Sequence, residues 1–356
     1  MTLLERCFNK TQLSITEFHI IKLSTYYVLT IVIILFIRRG DYMVSRKVGI
    51  IGAGAVGATT AYTLAMLGTA REIILYDIVP EVAIGKSIDI AQATNFSKND
   101  TRVGYATQPS EVSDCDIVVV TAGVPRKKDM TRADLLMINA KIVEGITRDI
   151  MQYSPNAIII CVSNPLDVMT YLMHKISGWD RNRIVGMAGA LDGARMAYQI
   201  NKMTDMTLSK TCAMVIGEHG ENMLPYPTLS TVSGIPVELL VGENDIEQII
   251  ENTKFGGAQI VKYLQTSAYY APARSIVAMV DAILSDSQAI ISSCTLLEGE
   301  YGYSDTTLGV PVVLGANGVE DIIELPLDAK TKEKLDQSVA SIQGNIEILR
   351  SNSMIS

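Results

Sequence analysis

The stretch Lys47-Val-Gly-Ile-Ile-Gly-Ala-Gly-Ala-Val-Gly57 decides the fold of this chain. An apolar run that ends in Gly-x-Gly-x-x-Gly is typical of a strand, a tight turn and the start of a helix. We expect Gly52 to make the turn, Gly54 to let a pyrophosphate approach the backbone, and Gly57 to let the helix pack closely on the strand. The alternative interpretation is a glycine turn in an unrelated α/β protein.

The segments after the glycine motif complete a dinucleotide-binding pattern. Ala55 to Leu67 has the small, apolar composition of a helix that packs on a sheet, and Gly68 stops it. Glu72 to Tyr76 is predicted as a second strand, and Asp77 follows it, 20 positions after Gly57. A carboxylate at this position accepts hydrogen bonds from an adenosine ribose and repels a 2′-phosphate, so the motif favours NAD over NADP.

The composition is that of a globular protein with excess negative charge. Of the 356 residues, 48% are hydrophobic and 19% are charged, and the formal net charge is −8. This length allows two domains with cores of their own, and the negative charge argues against nucleic acid as a partner. The cysteines are far apart and form no Cys-x-x-Cys pair. We therefore expect reduced core cysteines in a cytoplasmic protein, and no metal site.

The first 42 residues do not match the rest of the chain. Leu23 to Ile37 is an uncharged apolar run followed by Arg38-Arg39. The run is shorter than the roughly 20 residues that a membrane-spanning helix needs. A secretory signal is not expected, because the basic pair follows the apolar run. Three interpretations stay open: a translation start assigned upstream of Met43, a membrane anchor, or a soluble docking helix.

From Arg46 onward, short apolar runs alternate with helical patterns, which predicts a parallel sheet covered on both faces. The predicted strands are 47–51, 72–76, 116–121, 157–162 and 183–186, and the predicted helices are 55–68, 81–98, 132–153 and 165–177. After about residue 187 the pattern changes to longer helices and to strands punctuated by Gly and Pro. We therefore expect an α/β chain, with a doubly wound Rossmann domain that binds NAD over residues 43–187 and an α+β substrate domain over 188–356.

Polar segments follow two of the predicted strands, at the edge of the sheet where ligands bind in doubly wound folds. A basic loop after the 116–121 strand presents Arg126 and Arg132, and the 157–162 strand is followed by Asn164 and Pro165. The alternative for the loop is a solvated surface turn. The alternative for Asn164 is an ordinary helix N-cap.

A third polar segment, Gly-Glu-His-Gly, places His219 between small residues, where a substrate has room to approach the ring. Imidazole has an ordinary pKa of about 6.5, which suits proton transfer near neutrality. His19 lies in the first 42 residues, and His174 is expected on an exposed helix face. Asp192 offers a carboxylate to orient the imidazole, and Arg195 shares its helix face and can clamp an anion. The alternative for this pair is a plain surface salt bridge.

Taken together, these motifs resemble the lactate/malate dehydrogenase family, and within it the malate dehydrogenases built on the lactate dehydrogenase pattern. The matching segments are Gly-Ala-Gly-Ala-Val-Gly57, Tyr-Asp77, Thr-Ala-Gly-Val-Pro-Arg126 with Arg132, Val-Ser-Asn164-Pro, Leu-Asp192-Gly-Ala-Arg195 and Gly-Glu-His219-Gly. They occur in the family's order and at family-like spacing.

The resemblance implies a role for each matching residue. His219 would be the proton acceptor and Asp192 its partner, while Arg195 would hold the substrate's carboxylate. Arg132 would polarise the carbonyl from a closing loop, and Asn164 would contact both the substrate and the nicotinamide side. The cofactor-binding positions that it implies are Gly52, Ala53, Gly54, Ala55, Val56, Gly57, Asp77, Asn139, Val162, Ser163 and Asn164.

Arg126 lies at the loop position where, in the family that the chain resembles, lactate dehydrogenases carry an uncharged residue and malate dehydrogenases carry Arg. The second carboxylate of oxaloacetate needs a cation with fork geometry, whereas pyruvate would leave Arg126 buried and unpaired. The resemblance thus implies reversible oxidation of (S)-malate to oxaloacetate with NAD, feeding the tricarboxylic acid cycle. In the loop that is expected to close over the substrate, this chain has Lys127-Lys-Asp-Met130 where the family has Lys-Pro-Gly-Met. The loss of Pro and Gly changes the flexibility of this loop.

Three other functions stay open. The first is a lactate or other 2-hydroxy-acid dehydrogenase, and the second is a non-catalytic NAD-binding protein. The third, an NAD- and metal-dependent glycosidase, would need a Cys/His metal pair, but no His follows Cys161 closely. The resemblance also suggests a homotetramer or a homodimer that acts on a small molecule, with membrane association only if the first 42 residues are an anchor.

Overall fold

Residues 46–125 and 130–355 are described by a computed structural model. The apolar run at 23–37 and the loop residue Arg126 therefore lie outside the described residues. In the described part of the chain, every helix is too short or too polar to cross a bilayer.

Strands and helices alternate through the first part of the chain, and the second part mixes longer helices with hairpins. The strands are β1 (Lys47–Ile51), β2 (Glu72–Tyr76), β3 (Arg102–Ala106), β4 (Ile117–Val120), β5 (Ile158–Cys161), β6 (Ile184–Gly186), β7 (Thr211–Cys212), β8 (Val215–Gly217), β9 (Met223–Pro225), β10 (Thr231–Val232), β11 (Ile235–Pro236), β12 (Ala289–Glu298), β13 (Ser304–Gly315) and β14 (Gly318–Ile322). The helices are α1 (Ala55–Leu67), α2 (Pro80–Thr94), α3 (Arg132–Tyr153), α4 (Leu166–Ser177), α5 (Gly189–Thr204), α6 (Glu243–Leu264), α7 (Tyr270–Leu284) and α8 (Ala329–Ser351).

The main sheet begins with six parallel strands in the order β3-β2-β1-β4-β5-β6. This is the doubly wound order, with the reversal between β1 and β4. The sheet then continues through the antiparallel strands β12, β13, β8 and β9, while β14 pairs with β13. A separate small sheet has the order β11-β10-β7. The predicted fold class, an α/β chain with a doubly wound Rossmann sheet followed by an α+β region, is confirmed.

The glycine motif forms the turn between β1 and α1, and its three glycines have different surroundings. Gly52 has a φ of +104°, which favours glycine. A Cβ on Gly57 would lie 1.9 Å from the carbonyl oxygen of Gly52, so only glycine allows α1 to begin this close to the strand. A Cβ on Gly54 would meet nothing within 4 Å. The backbone at Gly54 therefore borders open space.

Three local predictions differ from the structure. The strand β3 was not predicted, because Arg102 and Tyr105 are exposed at the edge of the sheet and leave too little apolar periodicity to mark a strand. Helix α2 ends at Thr94, four residues before the predicted end. Helix α4 begins at Leu166 with Pro165 as its N-cap, so Asn164 lies one residue before the cap.

The prediction that His174 lies on an exposed helix face is wrong. Residues 166 to 174 of α4 are all buried, and burial lowers the pKa of His174 to about 4, so its imidazole is neutral at pH 7. The expectation that the cysteines are core residues holds for Cys115, Cys161 and Cys294, which are buried free thiols, but Cys212 is exposed.

The predicted domain boundary at residues 187 and 188 falls between β6 and α5. The main sheet continues across this point through the pairing of β6 with β12, and the chain from Arg46 onward forms one compact unit. The division into 43–187 and 188–356 stays a prediction, as does the separate 1–42 segment.

Candidate active site

A cleft of about 620 Å³ opens at the carboxyl ends of the parallel strands β1, β4 and β5. Its other walls come from α5, α6 and α7 and from the segment before α7. The predicted site residues that line the cleft are Gly54, Ala55, Val56, Gly57, Asn139, Val162, Ser163, Asn164, Arg195 and His219. The structure thus brings together the glycine turn, the two strand-end segments and the histidine segment, which are separate in the sequence.

Asp77 lies at the end of β2 and holds the glycine turn in place. Its Oδ2 accepts a hydrogen bond from the Ala53 amide at 2.7 Å, and its Oδ1 accepts one from the Val79 amide at 3.0 Å. Carboxylate oxygens have further lone pairs for a ribose hydroxyl. Asp77, Gly52 and Ala53 are not in the wall of the cleft as it stands, and the ribose contact of Asp77 stays a prediction.

Asn139 joins the two loops that flank the centre of the cleft. This side chain of α3 is 1% exposed, and its Oδ1 accepts a hydrogen bond from the Val124 amide at 2.9 Å. Its Nδ2 donates to the carbonyl oxygen of Asn164 at 2.7 Å. Ser163 adds a second link, because its hydroxyl donates to the carbonyl oxygen of Ala122. These contacts fix the backbone where the cofactor is predicted to bind.

The histidine and the arginine are joined through a buried carboxylate. Asp192 is 2% exposed, and its Oδ2 lies 2.8 Å from Nδ1 of His219. Its Oδ1 accepts a hydrogen bond from Nη1 of Arg195, also at 2.8 Å. The interpretation of Asp192 and Arg195 as a plain surface salt bridge is therefore wrong. Because Asp192 engages Nδ1, Nε2 is the ring nitrogen available to a ligand in the cleft.

The surroundings of His219 favour its protonated form. Burial lowers the pKa of His219, but the Asp192 carboxylate, both through its charge and through the hydrogen bond to Nδ1, more than offsets this effect. Asp167 raises the pKa further and Arg195 lowers it. The net result is a pKa above the ordinary value of 6.5, which is the property of a group that takes up a proton from a ligand.

Arg132 is not among the residues that line the cleft. It is the first residue of α3, its side chain is 78% exposed, and its Nη2 lies 3.2 Å from Oε1 of Glu221. A capping box formed by Thr131 and Asp134 fixes this end of the helix. The predicted contact of Arg132 with a substrate stays a prediction, and Arg126 lies outside the described residues.

Several residues at the site were not predicted from the sequence. Gly256 and Gly257 of α6 lie against Arg195, and a Cβ on Gly257 would come within 3.2 Å of Nη2. The segment from Thr266 to Tyr269 forms a wall of the cleft. Asp167 accepts a hydrogen bond from the backbone amide of His219. The adjacent glycines at 256 and 257 were a detectable signal in the sequence, since glycine within a helix often marks close packing.

The groups that line the cleft suit a dinucleotide. The open space at Gly54 exposes backbone at the N-terminus of α1, where amide groups and the helix dipole favour a phosphate. Among the described residues, no three His, Cys, Asp or Glu side chains are grouped so that they could hold a metal ion. A doubly wound sheet with such a turn, next to a buried acid and base pair, defines an NAD-dependent dehydrogenase.

Comparison with known proteins agrees with this class. The sequence model of the lactate/malate dehydrogenase NAD-binding domain matches residues 46–186, and that of the family's α/β C-terminal domain matches residues 189–351. The malate dehydrogenase of Sulfurimonas denitrificans is 49% identical over 308 residues, which cover 86% of this chain and 97% of that protein. The malate dehydrogenase of Nitratiruptor is 46% identical over 86% of this chain and 96% of its own length. The chain belongs to the lactate/malate dehydrogenase family.

Solved structures of both branches of the family resemble this fold. A malate dehydrogenase from Salinibacter ruber aligns with a TM-score of 0.82 and 40% identity, over 86% of this chain and 99% of that one. A lactate dehydrogenase from Cryptosporidium parvum aligns with the same TM-score and 32% identity, over 86% and 98%. The prediction of an NAD-dependent oxidoreductase is confirmed, while the fold is common to enzymes with different substrates.

Proposed function

We propose that this chain is a malate dehydrogenase, which interconverts (S)-malate and oxaloacetate with NAD. The observation that supports it most is that the buried Asp192 contacts both Arg195 and His219 at 2.8 Å, and that these two side chains line the cleft. This arrangement offers an anion a guanidinium and a base side by side. Curated relatives named malate dehydrogenase, at 43% to 49% identity, support malate as the substrate.

In the proposed reaction, Arg195 binds the substrate's carboxylate. Asp192 engages its Nη1, and the glycines at 256 and 257 leave space beside the rest of the guanidinium. Such a clamp would set the hydroxyl-bearing carbon next to His219. Bound NAD would supply the hydride acceptor. Nε2 of His219 would then take the hydroxyl proton, while Asp192 stabilises the imidazolium and keeps the ring in one orientation.

Two arginines complete the proposed substrate site. Arg126 would pair with the second carboxylate of malate or oxaloacetate, since a dicarboxylate in a site without water needs a second cation. Arg132 would polarise the substrate carbonyl after its ion pair with Glu221 breaks and its side chain contacts the substrate. An exposed ion pair of this kind contributes at most about 1 kcal/mol, so a bound anion can replace it.

Replacement of the base tests this chemistry. His219→Asn should reduce malate oxidation below detection, because no other imidazole or carboxylate lines the cleft among the described residues. NADH binding, followed by the change in nicotinamide fluorescence, should stay within about twofold, since His219 lies apart from the glycine turn. Near-normal turnover by this variant would show that His219 is not the base. Loss of NADH binding would show that His219 belongs to the cofactor site.

Lactate oxidation is the second candidate. Lactate dehydrogenases of known structure match this fold as closely as malate dehydrogenases do, with TM-scores of 0.82 and 0.83. A comparison of oxaloacetate with pyruvate at equal concentration separates the two candidates, because only oxaloacetate has a second carboxylate to pair with Arg126.

The cellular setting and the assembly belong to the same proposal. The enzyme would work in the cytoplasm and feed the tricarboxylic acid cycle, and its buried free thiols are compatible with a reducing compartment. It would form a homodimer or a homotetramer, since Phe255, Tyr263 and Leu264 of α6 are more than half exposed. Light scattering of the purified chain measures the assembly directly.

A further inference from the structure

A second buried carboxylate lies behind the proposed base. Asp167, in the first turn of α4, is 3% exposed, and its Oδ2 accepts a hydrogen bond from the backbone amide of His219 at 2.8 Å. Its Oδ1 has no hydrogen-bond partner among the described residues. Asp192 reaches the ring of the same histidine from α5. Two carboxylates from two helices therefore hold His219, one at its ring and one at its backbone.

The position of Asp167 is fixed by the sheet beneath α4. The hydroxyl of Thr307, on β13, donates to the backbone carbonyl of Asp167 at 2.7 Å. A Cβ on Gly186 would lie 2.8 Å from Leu166, so the start of α4 rests directly on β6. The carboxylate has little freedom to leave the histidine segment, because both its backbone and its side chain are held.

The titratable groups around Asp167 come from several elements. The Cys294 thiol of β12 lies next to its carboxylate, and the Cys161 thiol of β5 is close by. Burial raises the pKa of Asp167 to about 6, although the nearby His219 lowers it through both its charge and its amide. Glu218 adds a weaker repulsion. Burial therefore opposes the negative charge of Asp167, and the charge of a protonated His219 favours it.

A neutral amide could accept the same backbone hydrogen bond without this cost. The negative charge of Asp167 is thus unnecessary for holding the backbone of His219, but it does act on the imidazole ring. Among the described residues, the charges that shift the pKa of His219 most are those of the anions Asp192 and Asp167 and of the cation Arg195. The anion of Asp167 favours the imidazolium, which is the state that His219 reaches when it has taken a proton from the substrate.

We propose that Asp167 is a second positioning residue of the active site, which anchors the backbone of His219 and uses its negative charge to strengthen the base. This inference rests on the proposed role of His219 as the proton acceptor. The buried charge of Asp167 would then help to set the pH range of catalysis, in addition to any effect on folding.

Asp167→Asn in the full-length chain tests the charge with little change of shape. The pH dependence of kcat/KM for malate oxidation reports the pKa of the base. In the variant this pKa should fall by about one unit, the lower end of the range for a nearby opposite charge. Oxaloacetate reduction at pH values above the pKa should slow about tenfold, because a one-unit shift is a tenfold change in the protonated fraction. The KM for NADH should stay within about twofold, since Asp167 is not in the wall of the cleft.

Thr307→Val is the matched control, because it loosens the attachment of Asp167 but keeps every charge. It should lower the melting temperature without moving the kinetic pKa. If Asp167→Asn leaves the kinetic pKa in place, the charge has no effect on His219 and the proposal is wrong. If that variant does not fold, Asp167→Ser removes the same charge and should give the same shift. A wild-type enzyme that prefers pyruvate would contradict the proposed function alone, because the pKa shift can be read with either substrate.

Discussion

Removal of the charge of Asp192 is the perturbation whose effect the structure predicts most closely. Asp192→Asn keeps the size of the side chain and leaves it between His219 and Arg195. Because Oδ2 lies 2.8 Å from Nδ1 of His219, the centres of charge in the protonated pair are separated by about 4 Å. At that separation, and at the effective dielectric constant of about 20 that suits protein sites, the attraction is worth about 4 kcal/mol.

If His219 is the proton acceptor, as proposed, that energy is available only after it has taken the proton, so its loss falls on the barrier. We expect kcat/KM for malate oxidation to fall about 1000-fold in Asp192→Asn, since each 1.36 kcal/mol is about tenfold in rate. The variant also leaves the guanidinium of Arg195 without its buried partner, and we expect about 3 kcal/mol of unfolding free energy to be lost. NADH binding should change little, because Asp192 does not line the cleft.

Steady-state kinetics by NADH absorbance and urea unfolding by circular dichroism measure both effects. Asp89→Asn is the matched control, since Asp89 is an exposed carboxylate of α2, and it should change neither quantity measurably. A loss of less than about tenfold in Asp192→Asn would refute the argument, because an attraction of that size would belong to a solvated pair.

The remaining predictions concern the turn, the buried histidine and the loop. Gly57→Ala should abolish NADH binding and destabilise the fold, because its Cβ would lie 1.9 Å from a carbonyl oxygen. Gly54→Ala should fold normally but bind NADH at least about tenfold more weakly. Equal behaviour of the two variants in a fluorescence titration and a thermal melt would contradict this contrast. The folded-state pKa of His174 is lowered to about 4, so the stability that its burial confers is fully present above about pH 6.5 and is lost as the pH falls towards 4. Between about pH 7.5 and pH 5 the wild type should therefore lose about 2 kcal/mol more unfolding free energy than His174→Leu, and equal losses in urea titrations would show that His174 is accessible to protons. Arg126→Gln should shift the preference from oxaloacetate towards pyruvate by at least about 100-fold in relative kcat/KM, and an unchanged ratio would remove Arg126 from the specificity site.

The parts of the fold that local sequence determines were predictable. The glycine turn needs only a few adjacent residues, and the predicted strands 47–51 and 72–76 agree with the structure residue for residue. The sequence did not predict β3, because the exposed residues of an edge strand weaken the apolar periodicity that marks a strand. His174 was misplaced because α4 is buried almost all round, although the apolar run around that histidine was a sign of such burial.

The active site was predictable where the chain matches a familiar motif, and much less so elsewhere. His219, Asp192 and Arg195 were identified from their motifs, and the structure adds the two distances of 2.8 Å that join them. Asp167 was missed because its contact with His219 spans 52 positions in sequence and depends on where the sheet places α4. Its carboxylate alone, in a segment that reads as a helix start, resembles an ordinary first-turn acid.

In the proposed reaction, the substrate is a four-carbon dicarboxylate that Arg195 and Arg126 hold and that exchanges a proton with His219. The most direct measurement is NADH oxidation by the full-length protein, with oxaloacetate and pyruvate supplied separately at equal concentration. We expect kcat/KM for oxaloacetate to exceed that for pyruvate by about 10⁴ or more, the range for a site built around a specific polar contact. Equal rates, or a preference for pyruvate, would contradict the claim and place the enzyme among the lactate dehydrogenases.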